Sequence, residues 1–122
     1  MAKNIMIVDD SASLRQVVSI ALKGAGYDVL EACDGKDALA KISGQKIHLV
    51  ISDVNMPNMD GISFVKALKQ DATYKFTPVI MLTTEAGEAK KSEGQAAGAK
   101  AWVVKPFLPP QLLAAVAKLV MP

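Results

Sequence analysis

Residues 5–22, IMIVDDSASLRQVVSIAL, place two kinds of hydrophobic spacing on either side of an aspartate pair. The first four residues are continuously apolar, as in a strand covered on both faces. After the turn, apolar residues recur at the three- and four-residue spacing of an amphipathic helix. Ser11 or Ser13 can cap that helix, and Gly24 and Gly26 fit its end. The stretch therefore predicts a buried strand followed by a helix.

The same alternation repeats along the chain. Segments rich in Val, Ile and Leu predict five strands: Ile5 to Val8, Val29 to Cys33, Leu49 to Ser52, Val79 to Leu82, and Ala101 to Val104. Because crossovers between parallel strands are right-handed, five βα units predict a doubly wound α/β fold with ligands at the carboxyl ends of the strands. Pro109 and Pro110 suit the start of the last helix. Thr84–Ala99 lacks large apolar side chains, so we expect a weakly anchored helix there.

Length and composition limit the class of protein. The 122 residues, 51% of them hydrophobic, suit one domain over residues 1–122. No apolar run is long enough to cross a bilayer or to form a signal peptide, so we expect a cytoplasmic protein with no membrane partner. Its 14 basic and 12 acidic residues are scattered, which argues against nucleic-acid binding. We expect Cys33 to be a packed core thiol and His48 to be structural.

Polar residues gather where the predicted strands end. Asp9 and Asp10 follow the first strand, Asp53 the third, Thr83 the fourth and Lys105 the fifth. If the first and third strands are neighbours, three carboxylates converge, and such a cluster is costly without a cation. Oxygen ligands with room for water and a phosphate oxygen favour Mg²⁺. An ammonium and a hydroxyl opposite the metal suit phosphoryl transfer, in which an aspartate can be the acceptor.

Four motifs point to a known family. They are IMIVDDSASLR, LVISDVNMPNMDG, MLTTEA and AKAWVVKPF, in this order along the chain. Together they resemble the signatures of response regulator receiver domains of the single-domain chemotaxis CheY type. The resemblance implies a flavodoxin-like (βα)5 fold, with a doubly wound parallel sheet in the strand order 2-1-3-4-5 that is known for CheY. It also implies a monomer.

The resemblance further implies a role for each residue of the site. Asp53 would accept a phosphoryl group from a phosphohistidine kinase. Asp9, Asp10 and Asp53 would bind Mg²⁺, together with the backbone carbonyl of Asn55. Thr83 would contact the phosphoryl group.

Residues beyond the carboxylates complete this implied machinery. Lys105 would contact the phosphoryl group, and Trp102 lies at the aromatic switch position. Asn55 and Glu85 would tune the phosphoryl lifetime. The signalling surface would comprise the fourth helix, the fifth strand and the fifth helix. The implied partners are a chemotaxis-type histidine kinase, a downstream protein such as a flagellar motor switch component, and a phosphatase.

Other functions compete with this interpretation. A phosphorelay intermediate, or a receiver of a non-chemotaxis system, would share the same motifs. An aspartate-nucleophile phosphatase would carry an acid where this chain has Asn55. An EF-hand is excluded because Phe64 stands where its loop needs glutamate, and a nucleotide-binding loop because DDSAS replaces the glycines. We expect a signalling protein that catalyses only its own phosphorylation and autodephosphorylation.

Overall fold

The computed structural model describes residues 3–83, 98–105 and 107–120. Its strands are β1 (Asn4–Val8), β2 (Asp28–Ala32), β3 (Leu49–Asp53), β4 (Val79–Thr83) and β5 (Ala101–Val104). Its helices are α1 (Ala12–Gly24), α2 (Gly35–Ile42), α3 (Gly61–Lys69) and α4 (Pro109–Leu119). All five predicted strands are present, with ends shifted by at most one residue. Residues 84–97 of the helix predicted between β4 and β5 lie outside the described ranges, and its last two residues, Gly98 and Ala99, are not helical.

The strands form one parallel sheet in the order β2-β1-β3-β4-β5, as the family resemblance implies. Strands β3 and β4 are buried along their whole length, because helices cover both faces of the sheet. The edge strands β2 and β5 are only partly buried. The carboxyl ends of β1, β3 and β4 therefore meet in the middle of one edge of the sheet.

Alternate residues of the strands feed two separate cores. Met6 and Val8 pack with α2 and α3 on one face, whereas Ile5 and Ile7 pack with α1 and α4 on the other. This two-sided packing follows from the period of two residues along a strand. It fixes the register of β1 and thereby the position of the acidic pair at its end. No helix within the described ranges has the length and apolarity needed to span a membrane.

The ends of the helices follow the sequence signals. The Ser11 hydroxyl caps α1 by accepting a hydrogen bond from the Leu14 N–H at 3.2 Å. Beyond α1, Gly26 has a φ of 95°, a left-handed conformation that glycine adopts without strain. Helix α4 begins at Pro109, where proline's missing N–H costs no intrahelical hydrogen bond.

The predictions for the single cysteine and the single histidine differ in outcome. Cys33 is exposed, so the prediction of a packed core thiol is wrong. Strand β2 ends at Ala32 and lies at the edge of the sheet, which leaves Cys33 in the following turn. His48 is structural as predicted, since its Nδ1 accepts the Asn4 N–H at 3.0 Å. Burial, with nearby lysines, lowers the pKa of His48, so the ring is neutral at pH 7.

Candidate functional site

Three carboxylates meet at the carboxyl ends of β1 and β3. These strands pair with Val8 opposite Ser52, so Asp9 and Asp53 emerge side by side. One carboxylate oxygen each from Asp9, Asp10 and Asp53 lies within 4.8 Å of the others. Asp9 is fully buried and Asp53 is 7% exposed, whereas Asp10 is open to solvent. The predicted acidic cluster is therefore present, with one solvent-facing member.

Lys105 provides the positive charge of the cluster. Its Nζ lies 3.0 Å from Asp9 Oδ2 and 3.3 Å from Asp53 Oδ1. Lys105 follows β5, and its backbone N–H donates to the Thr83 carbonyl at 2.6 Å, next to the end of β4. From there the long side chain reaches across β4 to the carboxylates. Lys105 thus lies at the predicted edge of the sheet, but it pairs directly with Asp9 and Asp53, a contact that was not predicted, and its side chain is only 18% exposed.

Opposing electrostatic effects act on the Asp53 carboxylate. Its Oδ1 accepts the Val54 N–H at 2.9 Å in addition to the Lys105 contact. Burial, and secondly the charge of Asp9, raise the pKa of Asp53, while Lys105 and the Val54 N–H oppose that rise. A buried carboxylate that keeps a strong hydrogen-bond donor and an ammonium is suited to act as a nucleophile once further positive charge arrives.

The donor set fits a hard divalent cation. Among the residues that the structure describes, three clustered carboxylates with one ammonium leave an excess of two negative charges, which a divalent ion would balance. All the clustered ligand atoms are oxygens, the preferred donors of Mg²⁺, and the exposed Asp10 leaves room for coordinated water. Asn55 lies in the loop that follows Asp53, and its side chain is exposed.

Thr83 and Trp102 lie on the neighbouring strands. Thr83 ends β4, is fully buried and pairs in register with Val104 of β5. Trp102 pairs with Met81 and packs partly buried against the core between the sheet and helices α2 and α3. Its indole Nε1 is buried and has no hydrogen-bond partner within the described ranges. Glu85, the second predicted lifetime residue, lies outside those ranges.

The backbone of Gly61 lies unusually close to the Asp53 carbonyl, and the sequence did not predict this contact. A Cβ added to Gly61 would lie 1.9 Å from the Asp53 carbonyl oxygen, so a side chain at this position would displace the backbone of the acceptor residue. The Gly61 N–H also donates to the Val54 carbonyl at 2.8 Å. The Asp60-Gly61 dipeptide is a sequence signal for a turn that leads into a capped helix, and it could have marked this position.

A second unpredicted feature joins two loops. The Asp34 carboxylate, which caps α2, accepts a hydrogen bond from the Asn58 side-chain amide at 2.8 Å. Asn58 has a φ of 67° and is the only non-glycine residue with positive φ in the described ranges. No local sequence signal predicts this pair, because the two residues are 24 positions apart.

Comparisons with known proteins agree with this geometry. The response regulator receiver domain profile matches residues 5–117. The chain is 38% identical to protein PilG of Pseudomonas aeruginosa over 92% of this chain and 83% of that protein. It is 39% identical to chemotaxis protein CheY1 of Helicobacter pylori over 86% of each chain.

Solved structures give the same relation. The structure superposes on the chemotaxis protein CheY4 of Vibrio cholerae with a TM-score of 0.95 and 49% sequence identity, covering 98% of this chain and 100% of that one. Together with the five-stranded order and the site at the carboxyl edge, these matches show that the chain belongs to the response regulator receiver domain family, with single-domain CheY-type proteins among its relatives.

Proposed function

We propose that this chain is a two-component response regulator whose Asp53 accepts a phosphoryl group from the phosphohistidine of a kinase, with Mg²⁺ as cofactor. The proposal is carried by the contacts of Lys105, whose ammonium lies 3.0 Å from Asp9 and 3.3 Å from Asp53 within a buried cluster. An ammonium beside convergent carboxylates at this edge of an open α/β sheet suits the joint binding of a metal and a phosphoryl anion.

The transfer step requires a carboxylate nucleophile. An Asp53 carboxylate oxygen attacks phosphorus, an O–P bond forms and the N–P bond to the kinase imidazole breaks. The electron pair of that bond returns to the imidazole, which takes up a proton from solvent. Asp9, Asp10 and Asp53 would hold Mg²⁺, which would supply positive charge for the transfer of the phosphoryl group. Lys105 and the Val54 N–H support the reaction because both hold down the raised pKa of Asp53.

The charges then redistribute around the product. Once Asp53 is phosphorylated to the acyl phosphate, its carboxyl oxygens no longer carry a full negative charge, and the Lys105 ammonium would pair with a phosphoryl oxygen. Thr83 ends the strand that lies between those of Asp53 and Lys105, and this position supports a contact between its hydroxyl and the phosphoryl group. Asn55 and Glu85 would tune the lifetime of the product by controlling the approach of water.

Signalling would pass through the β5 side of the molecule. Thr83 and Trp102 would form the switch, and a movement of the Trp102 ring is supported by its buried Nε1, which has no hydrogen-bond partner among the residues that the structure describes. On this side Val104 is 40% exposed and Leu108 is 68% exposed, which offers apolar surface to a partner. Relatives named as chemotaxis proteins support a chemotaxis role, with a downstream partner such as a flagellar motor switch component.

The remaining assignments follow from this role. The chain would act as a cytoplasmic monomer that receives its phosphoryl group from a chemotaxis-type histidine kinase. It would catalyse only its own phosphorylation and autodephosphorylation, and a separate phosphatase would accelerate the return to the resting state.

The proposal is tested with phosphoramidate, whose P–N bond resembles that of phosphohistidine. Intact-mass spectrometry should detect one added phosphoryl group in Mg²⁺ and none in excess EDTA. Asp53→Asn should abolish the addition and Asp10→Asn should slow it, whereas Asp60→Asn, which alters an exposed helix cap, serves as the matched control. Equal labelling with and without Mg²⁺, or full labelling of Asp53→Asn, would overturn the proposal.

A further inference from the structure

The loop that follows the acceptor strand, residues 54–60, is attached to the rest of the molecule in two different ways. At its ends, the Val54 N–H donates to the Leu82 carbonyl at 3.0 Å and the Gly61 N–H donates to the Val54 carbonyl at 2.8 Å. These bonds fix the loop where it leaves β3 and where it enters α3. Asn55, whose carbonyl is the expected metal ligand, lies between them.

The middle of this loop is tied to the turn between β2 and α2. The Asn58 amide donates to Asp34 Oδ2 at 2.8 Å, and the Gly35 N–H donates to the Met59 carbonyl at 3.3 Å. A Cβ added to Gly35 would lie 2.7 to 2.9 Å from atoms of the Met59 side chain, so the two loops are in direct contact. The two hydrogen bonds hold consecutive residues of the loop against one turn.

The Asp34 carboxylate is itself fixed in position, so it can hold Asn58 in place. It is 6% exposed, and its Oδ1 accepts the Asp37 N–H at 2.8 Å, which fixes the carboxylate as the cap of α2. The same hydrogen bonds, from the Asp37 N–H first and from Asn58 second, lower the pKa of Asp34, so it is ionised at neutral pH. A charged acceptor makes the stronger kind of hydrogen bond to the Asn58 amide.

Asn58 adopts the left-handed conformation that this contact requires. Its φ of 67° is accessible to asparagine at a small cost, and the hydrogen bond to Asp34 offsets that cost. With Asn58 fixed, only two residues separate it from Asn55. A displacement at Asn58 therefore passes readily to the Asn55 carbonyl.

We propose that Asp34 is a positioning residue for the metal site: its hydrogen bond to Asn58 holds the Asn55 carbonyl where Mg²⁺ binds. The inference rests on the proposed function, because it concerns the same Mg²⁺ site. Asp34 follows β2, at the edge of the sheet, and is not itself one of the predicted ligands of the metal or the phosphoryl group. Groups that orient metal ligands typically change metal affinity about 10- to 100-fold when removed.

The test is calorimetric titration of the folded protein with MgCl₂. Asp34→Ser keeps a good helix cap but is too short to reach Asn58. Asn58→Gly keeps the left-handed backbone but loses the amide. Asp60→Ser is the matched control, because Asp60 caps α3 through the Ser63 N–H at 2.7 Å, is exposed, and loses the same charge on substitution.

Asp34→Ser and Asn58→Gly should each weaken Mg²⁺ binding about 10-fold relative to Asp60→Ser. The double variant should be no weaker than either single variant, because both lose the same contact. Asp34→Asn should restore binding, since its amide can cap α2 and pair with a flipped Asn58 amide. A role in stability alone would lower the melting temperature without changing the affinity of the folded protein.

Two results would overturn the inference while leaving the metal site intact. One is an affinity of Asp34→Ser equal to that of Asp60→Ser, and the other is an additive loss in the double variant. A failure of the proposed function would look different, because the unmodified protein would then bind no Mg²⁺, or Asp10→Asn would bind it as tightly. That result would remove the inference together with the site.

Discussion

Lys105 is the cation that neutralises the buried carboxylates when no metal is bound, and Lys105→Met removes it while keeping an apolar stem. Asp9 is fully buried and Asp53 nearly so. Without the Lys105 ammonium, these two buried carboxylates would lie side by side with no cation between them. Breaking a buried ion pair by deleting one partner costs about 3 to 5 kcal/mol. Protonation of Asp53 limits that cost, so we expect a loss of about 2 to 3 kcal/mol at pH 7 in EDTA.

The assay is thermal unfolding followed by circular dichroism. For a domain of 122 residues, a change of 1 kcal/mol shifts the melting temperature by about 4 °C, so the expected decrease is about 8 to 12 °C. Lys41→Met is the control, because Lys41 makes an i,i+4 ion pair with Asp37 at 3.1 Å in which both side chains are open to solvent, 46% and 29% exposed. Such surface pairs contribute about 0.5 kcal/mol or less.

The pH dependence gives a second, independent readout. Lys105 is one of the groups that lower the pKa of Asp53, so its removal raises that pKa further. The folded variant then binds more protons than the unfolded chain between this raised pKa and the ordinary carboxyl value of 3.8. Its stability therefore recovers as the pH falls through that window, and the deficit against the wild type shrinks.

Saturating Mg²⁺ should also reduce the deficit, because the metal supplies the missing positive charge. A melting temperature equal to that of Lys41→Met would refute the argument. So would a deficit that is the same at every pH and Mg²⁺ concentration. Either result would mean that the Lys105 ammonium is hydrated and does not stabilise the carboxylates.

Three further predictions follow from the site. Asp53→Asn should raise the melting temperature in EDTA, since the neutral form of a group with a raised pKa is favoured; a variant that melts at or below the wild-type temperature in EDTA would contradict this. Gly61→Ala should cost about 3 kcal/mol or more in urea unfolding, because its Cβ would overlap the Asp53 carbonyl. Gly44→Ala, with a φ of 78° but open space, should cost only about 1 kcal/mol, and similar losses would disprove the clash. Beryllofluoride with Mg²⁺ should change Trp102 fluorescence in the wild type and not in Asp53→Asn, whereas an unchanged emission in the activated protein would assign Trp102 to static core.

The parts of the fold that local patterns encode were predictable. The continuous apolar runs at β1, β3 and β4 identify strands covered on both faces, and Ser11 and Pro109 identify helix starts. The edge strand β2 was harder, because its partial burial weakens the same pattern and left Cys33 wrongly assigned to the core. Edge position is a property of the whole sheet and has no signature within five residues.

The site, like the fold, has parts that the sequence predicts and parts that it does not. That polar residues follow the strands was readable from the chain, and the parallel sheet brings Asp9, Asp53 and Lys105 together. Contacts between loops were not readable, because the Asp34 and Asn58 pair depends on how two turns approach in space. The roles of Asn55 and Glu85 came from family resemblance, and they remain predictions.

The central claim is that Asp53, and no other residue, becomes phosphorylated. The most direct test is to treat the protein with acetyl phosphate and Mg²⁺, reduce the acyl phosphate with borohydride, and locate the resulting homoserine by peptide mass spectrometry. We predict homoserine at position 53 only, and none when EDTA replaces Mg²⁺. Homoserine at position 10 or 60, or its absence from position 53 under saturating Mg²⁺, would contradict the account.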